Sequence, residues 1–93
     1  MKADTLALAV HFGEPIAQRS LRGGHYAGLP LPGAVFSQVD FTAADFRDAD
    51  LREAVFDQCE LGRANFHQAQ LRGATFHRCT GADILLGHAN LHK

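Results

Sequence analysis

The chain holds no tryptophan, one tyrosine, two cysteines and three prolines among its 93 residues. Two cysteines cannot staple a small domain in the manner of a disulfide scaffold. No charge of one sign prevails, since nine Lys+Arg stand against ten Asp+Glu for a formal net charge of −1. That balance supplies no global field favouring nucleic acid or an anionic membrane. No apolar run approaches the roughly 20 residues of a membrane span. The opening MKADTLALAV has one lysine followed by Asp4, a short apolar run and no small-residue cleavage site, so it makes a poor signal peptide. The expectation is a cytoplasmic protein of one domain. With 46% hydrophobic and 20% charged residues, the composition is that of a folded chain.

What the chain has in abundance is repetition. Every fifth residue from Ile16 forms one series: Ile16, Leu21, Tyr26, Leu31, Phe36, Phe41, Phe46, Leu51, Phe56, Leu61, Phe66, Leu71, Phe76, Gly81, Leu86 and Leu91. All but Gly81 are large and apolar, and every phenylalanine except Phe12 lies on this series. Two residues earlier, from Leu29 onward, runs a second series that is apolar and mostly small, with Ala34, Val39, Ala44, Ala49, Ala54, Cys59 and Ala64 among its members. The other three positions of each five are mostly polar, charged or glycine. A period of five suits neither regular element. In a helix five steps rotate a side chain by about 500°, which scatters the stripe over the surface. In a strand an odd period flips it at each step. The chain must instead turn a corner every five residues and point the same two side chains inward each time. That is a coil of short extended segments stacked as a solenoid.

The segments Ala44-Asp45-Phe46, Ala49-Asp50-Leu51, Ala64-Asn65-Phe66 and Ala89-Asn90-Leu91 resemble the pentapeptide-repeat proteins, whose motif is A(D/N)LXX. The resemblance covers residues 14–93. It weakens before Leu29, where Glu14, Arg19 and Gly24 hold the small-residue positions, and again at Gly81. It implies an all-β fold, a right-handed quadrilateral β-helix with four pentapeptides per coil and about four coils. Residues twenty apart then stack. The columns read Leu31, Leu51, Leu71, Leu91; Ile16, Phe36, Phe56, Phe76; Tyr26, Phe46, Phe66, Leu86; and Leu21, Phe41, Leu61, Gly81. Like stacks on like, as matched aromatic or aliphatic layers favour.

The ends are less regular. Leu6, Leu8, Val10 and Phe12 alternate with smaller or polar residues, and Gly13-Glu14-Pro15 then breaks the pattern. This reads as an N-terminal capping strand over residues 1–13, with the β-helix over 14–93. A helix with Asp4 as N-cap is the rival. Gly23, Gly24, Gly28, Gly33, Pro30 and Pro32 predict a looser first coil. At the other end Ala82-Asp83-Ile84 offers the repeat motif in a register shifted by two. The unshifted register keeps Ile84, Leu86, Ala89 and Leu91 in phase. No amphipathic cap follows Leu91, so the last layer calls for a partner, and end-to-end dimers in related proteins imply a homodimer through this end. A fragment of a longer protein is the alternative.

Little here points to catalysis. His11, His25, His67, His77, His88 and His92 show no spaced ligand set, so no metal is expected, although His67 and His88 fall on one face of adjacent coils. Cys59 and Cys79 stack in an inward column about 5 Å apart, where a thiol acts as a small hydrophobe and stays reduced. No phosphate loop, nucleophile elbow or dinucleotide fingerprint is present. No catalytic residue and no cofactor is therefore expected.

Two surface features remain. Asp40, Asp45, Asp48, Asp50, Glu53, Asp57 and Glu60 lie within residues 40–60 against only Arg47 and Arg52, which makes either an acidic interaction belt or simply the acidic letter of the repeat. Arg52 and Arg72 stack twenty apart, with His92 next. The outward column Val35, Val55 and Thr75 breaks the polar rule and reads as sheet-forming residues or as a contact surface. The function expected is a non-enzymatic scaffold that binds a protein partner, without direct nucleic-acid or membrane contact. The resemblance keeps two alternatives open: a DNA mimic that binds DNA gyrase and other type II topoisomerases, and a repeat module of a larger secretion-associated protein.

The register makes a quantitative claim. Phe56→Ala should cost about 3–5 kcal/mol, as large-to-small core changes do, whereas Asp57→Ala, one residue later and outward, should change stability by at most about 0.5 kcal/mol. Equal destabilisation in chemical denaturation would show the register to be wrong.

Overall fold

Residues 1–81 are described by the computed structural model. The element order is α1 (Ala3–His11), β1 (Ile16–Ala17), β2 (Val35–Ser37), β3 (Val55–Asp57) and β4 (Thr75–His77). The four strands form one parallel sheet in chain order, with Ile16 opposite Phe36, Phe36 opposite Phe56 and Phe56 opposite Phe76. The remaining faces are joined by single parallel bridges at the same spacing, such as Ser20 to Asp40, His25 to Asp45 and Pro30 to Asp50. The coil is therefore twenty residues long and four-sided, a quadrilateral β-helix.

Each corner follows from local backbone chemistry. The second residue after each inward large side chain takes a left-handed φ, as at Gln38 (57°), Ala43 (60°), Asp48 (58°) and Glu53 (62°). The N–H one residue further closes a turn onto the carbonyl of the large residue: Ala44 to Phe41 at 2.9 Å, Ala49 to Phe46 at 3.1 Å and Ala54 to Leu51 at 3.1 Å. Positive φ at the third residue of a closed four-residue turn marks type II. The first coil, expected to be looser, is as regularly bonded as the rest. Gly23, Gly28 and Gly33 occupy its left-handed corners and donate to Thr42, Arg47 and Arg52 at 2.8, 2.7 and 2.8 Å. Its prolines also fit. Leu31-Pro32-Gly33-Ala34 is a turn with proline and glycine in the two central places that type II prefers. Pro30 lacks an N–H at the position that elsewhere donates to the preceding coil, and here no coil precedes.

Inside, Phe36, Phe41, Phe46, Leu51, Phe56, Leu61, Phe66 and Leu71 are all at most 2% exposed. The rings stack along columns and meet edge-on across them. Phe46 and Phe66 stack 5.2 Å apart with nearly parallel planes, while Phe41 and Phe46 meet at 5.1 Å and 69°. Both arrangements suit aromatic quadrupoles. Phe76 differs from its expected place in the core. Its ring stacks on Phe56 at 4.7 Å, yet it is 39% exposed. Leu86 and Leu91, with Ile84, Ala89 and the question of register after Gly81, lie outside the described residues. Gly81 itself has φ 155°, and a Cβ there would stand 2.7 Å from the Leu61 carbonyl carbon. Close backbone approach explains a glycine on the large-residue series.

Residues 1–13 do not form the expected strand. They carry helix α1, and its N-cap is Lys2 rather than Asp4, which sits in the first turn. Leu6, Ala9 and Val10 are buried, at helical spacing, whereas Leu8 and Phe12, which strand alternation would have buried, are exposed. The helix ends in a Schellman arrangement: Gly13, at φ 76°, donates to Val10 and Glu14 donates to Ala9. Alanine and leucine favour the helix locally, and tertiary burial selects it. Ile16, Leu21, Tyr26 and Leu31 have no coil beneath them, yet each is at most 4% exposed and shares a cluster with Leu6, Ala9 and Val10. The Tyr26 hydroxyl donates to the Met1 carbonyl at 3.0 Å. Its ring fills the space in which a Cβ on Gly24 would lie, which accounts for glycine at that small-residue position.

The corner geometry can be tested without touching the core. Ala43 is exposed with φ 60°, and Gly33 has φ 72° with open space where a Cβ would project. A left-handed conformation costs a non-glycine residue roughly 1–2 kcal/mol, partly offset by the greater unfolded-state freedom of glycine. Ala43→Gly should therefore stabilise the fold by up to about 1 kcal/mol, and Gly33→Ala should destabilise it by a similar amount. Both are read from denaturant midpoints, and shifts of the same sign would refute the corner assignment.

Candidate interaction surfaces

With the interior filled by side chains, chemistry is confined to outward positions. The acidic belt divides into two groups. Asp40, Asp45 and Asp50 each precede an inward large residue and accept the backbone N–H two residues on: Thr42 at 2.9 Å, Arg47 at 3.0 Å and Arg52 at 3.2 Å. Asn65 does the same for His67 at 2.9 Å. A short side chain with an acceptor oxygen suits this Asx-type bond. Two of these carboxylates also hold arginines. Arg47 and Arg52 lie 2.8 and 2.7 Å from Asp45 and Asp50 with paired contacts, and Arg22 approaches Asp40 at 3.7 Å. The hydrogen bond from Thr42 holds the Asp40 carboxyl below its usual range, and those from Arg47 and Arg52 do the same for Asp45 and Asp50. Asp48, Glu53 and Glu60 remain exposed, and Asp57 meets His77 across adjacent coils at 3.0 Å.

The sheet face is of another character. Val35, Val55 and Thr75 stand in register on β2, β3 and β4. Val35 is 41% exposed, Val55 half-buried and Thr75 exposed. Ser37, Asp57 and His77 form the next outward column. Beside it runs a ladder that the inward columns gave no reason to seek: the Gln18 amide donates to Gln38 at 3.1 Å, and the Gln38 amide to Gln58 at 3.3 Å. Reading the corner positions at intervals of twenty would have revealed it, since Gln18, Gln38 and Gln58 are identical. With Arg19, Ser20, Val39, Asp40 and Glu60 the ladder borders a shallow depression of about 430 Å³. Arg72 and Arg52 border another with Pro32, Gly33 and Glu53, of about 500 Å³.

Cys59 is buried as a free thiol, and burial pushes its pKa up to about 11. Its Sγ points to the Phe36 carbonyl at 3.6 Å, and that of the half-buried Cys79 to the Phe56 carbonyl at 3.1 Å. Such a thiol is a poor nucleophile. Among the described residues no three His, Cys, Asp or Glu side chains gather as a metal site would require, and no helix is long and apolar enough to cross a membrane. His88 and His92 lie outside the described residues.

The sequence family described as the pentapeptide repeat region matches residues 18–86. This chain belongs to the pentapeptide-repeat family. Among solved structures, this pentapeptide-repeat chain is similar to a pentapeptide-repeat protein from the thylakoid lumen of Arabidopsis thaliana, with 33% identity and a TM-score of 0.67 over 77% of this chain and 54% of that one. It thus spans about half the length of that relative. It is also similar to a plasmid-mediated fluoroquinolone resistance protein (18% identity, TM-score 0.48, covering 81% of this chain and 55% of that). A third similar structure is a pentapeptide-repeat protein of the cyanobacterium Cyanothece (21% identity, TM-score 0.40, covering 82% and 53%). No curated protein sequence matches the chain.

The three bonded aspartates predict an acid limit to stability. Their carboxyls are held below the ordinary value in the fold, so their contribution is present above the unfolded pKa of about 3.9 and is lost as pH falls through the lowered values. Melting temperature should hold between neutrality and about pH 5 and fall below about pH 4. A variant with Asp40, Asp45 and Asp50 all changed to Asn keeps the backbone bond, as Asn65 does, and should lose part of that acid dependence. Superimposable acid limbs in the two proteins would refute the assignment.

Proposed function

We propose that this pentapeptide-repeat chain is a non-enzymatic interaction module that presents its parallel sheet face to a protein partner. The observation that carries the reading is the outward β-branched column Val35, Val55 and Thr75, set in register on the parallel sheet with Val35 and Thr75 exposed and Val55 half-buried. Such a column supplies apolar contact at little conformational cost, since β-branched side chains have few rotamers to lose. The columns beside it, Ser37, Asp57 and His77 and then the glutamine ladder, provide a polar rim of the kind that surrounds apolar interface centres. Catalysis is disfavoured because, among the described residues, the outward side chains form ladders beside shallow depressions rather than a concave pocket with convergent polar groups.

A second reading, binding of DNA gyrase by mimicry of DNA, draws on Asp48, Glu53 and Glu60, which are exposed, while Asp40, Asp45 and Asp50 are engaged by arginines or local bonds. Salt-sensitive inhibition of purified gyrase would support that reading.

Affinity capture with the intact chain separates the two surfaces. Val55→Lys should abolish retention of the specific partner while leaving the melting temperature within a few degrees. Charge reversal at Asp48 and Glu60 should leave retention intact. The opposite pattern would move the binding surface to the acidic corners.

A further inference from the structure

Helix α1 has two apolar faces, and the fold uses one. Leu6, Ala9 and Val10 close the first coil. On the other side Leu8 is 58% exposed and Phe12 69%, with Met1 at 39%. Leu8 and the C-cap Phe12 are four residues apart, so these two side chains make one patch on the outer surface, and Met1 lies just before the N-cap Lys2. Beside the patch runs a groove of about 510 Å³ lined by Asp4, Ala7, Leu8, Val10, His11, Pro30 and Pro32. Pro30 and Pro32 add rigid apolar rings without N–H groups. Asp4 and His11, both exposed, stand at opposite ends of α1.

We infer that this N-terminal surface binds a second copy of the same chain through an antiparallel pairing of the two α1 helices. The charge layout identifies the occupant. A two-fold axis near Leu8 brings Leu8 against Leu8 of the second copy, Asp4 against its His11 and His11 against its Asp4. A self-complementary patch of this kind is what an isologous interface requires. Antiparallel helices also oppose their dipoles favourably. Phe12 of each copy reaches the half of the opposite helix that carries Asp4, beside the proline-walled groove. The contact is small, since nine residues of helix span only about 14 Å, so association in the micromolar range is expected rather than a permanent dimer. The surface is distinct from the sheet face and from the chain end that carries Leu91.

The experiment is sedimentation equilibrium on the full 93-residue chain from micromolar to millimolar concentration, with a thermal melt of every variant to confirm folding. The wild type should pass from monomer to dimer. Leu8→Glu, at an exposed position, should weaken association by at least about tenfold without unfolding the protein. Asp4→Lys should weaken it too, and adding His11→Asp to that variant should restore it, a recovery that a purely structural effect on α1 would not produce. Val55→Lys should leave association unchanged. A wild-type monomer throughout the range, a dimer indifferent to Leu8→Glu, a double variant that does not recover, or a dimer lost on Val55→Lys or Leu91→Asp would each overturn the inference.

Discussion

The structure depends on pairing the backbone N–H groups of each pentapeptide while the chain turns a corner every five residues. The pentapeptide from Asp40 to Ala44 shows how this is done. Asp40 donates to Arg19 in the coil before, and Phe41 and Ala43 donate to Glu60 and Gly62 in the coil after. Ala44 closes the turn onto Phe41. The fifth N–H, that of Thr42, points toward neither coil, and the Asp40 side chain accepts it. The next two pentapeptides repeat the scheme with Asp45 and Asp50. The amides of Thr42, Arg47 and Arg52 belong to half-buried or exposed residues, and the bond from the side chain two residues back fixes the local turn, so the acidic letter of the repeat first serves the backbone. Where Pro32 removes the N–H, Pro30 replaces the acid, and nothing is left unpaired.

This economy shapes where function can reside. Two of every five side chains fill the interior, and the core from Phe36 to Leu71 is closed to solvent. Asp40, Asp45 and Asp50 are tied to the backbone and to neighbouring arginines, so a count of acidic residues overstates the free negative charge. What remains for recognition is the character of the outward ladders: β-branched on the sheet face, amide along one corner, and carboxylate at the exposed corners. On the proposed reading, recognition is set by which ladder is presented and by the regular interval between coils.

A solenoid also leaves its first layer uncovered. Here the solution is a helix whose inner stripe, Leu6, Ala9 and Val10, shares one buried cluster with Ile16, Leu21, Tyr26 and Leu31. The helix satisfies its own backbone, so it closes the apolar end without offering a new strand edge. Its outer side leaves Leu8 and Phe12 exposed.

The coil, its twenty-residue period and the inward residues were legible in the amino-acid sequence. Covalent spacing along the chain sets the period, and the interior admits only large apolar or small residues at fixed places, so the pattern recurs in every coil. The glycines at 23, 28 and 33 and the Asp or Asn before Phe41, Phe46, Leu51 and Phe66 are equally local, since each serves a turn made within five residues. Tertiary structure alone decided the rest. Leu6, Leu8, Val10 and Phe12 satisfy an alternating pattern as well as a helical one, and only the open layer beneath α1 selects Leu6, Ala9 and Val10 as the buried set. Gly24 is explained by the reach of the Tyr26 ring, and the pairing of Asp57 with His77 by the stacking of separate coils. Such features rest on distances between segments that are far apart in the chain, and those distances exist only once the coils have stacked.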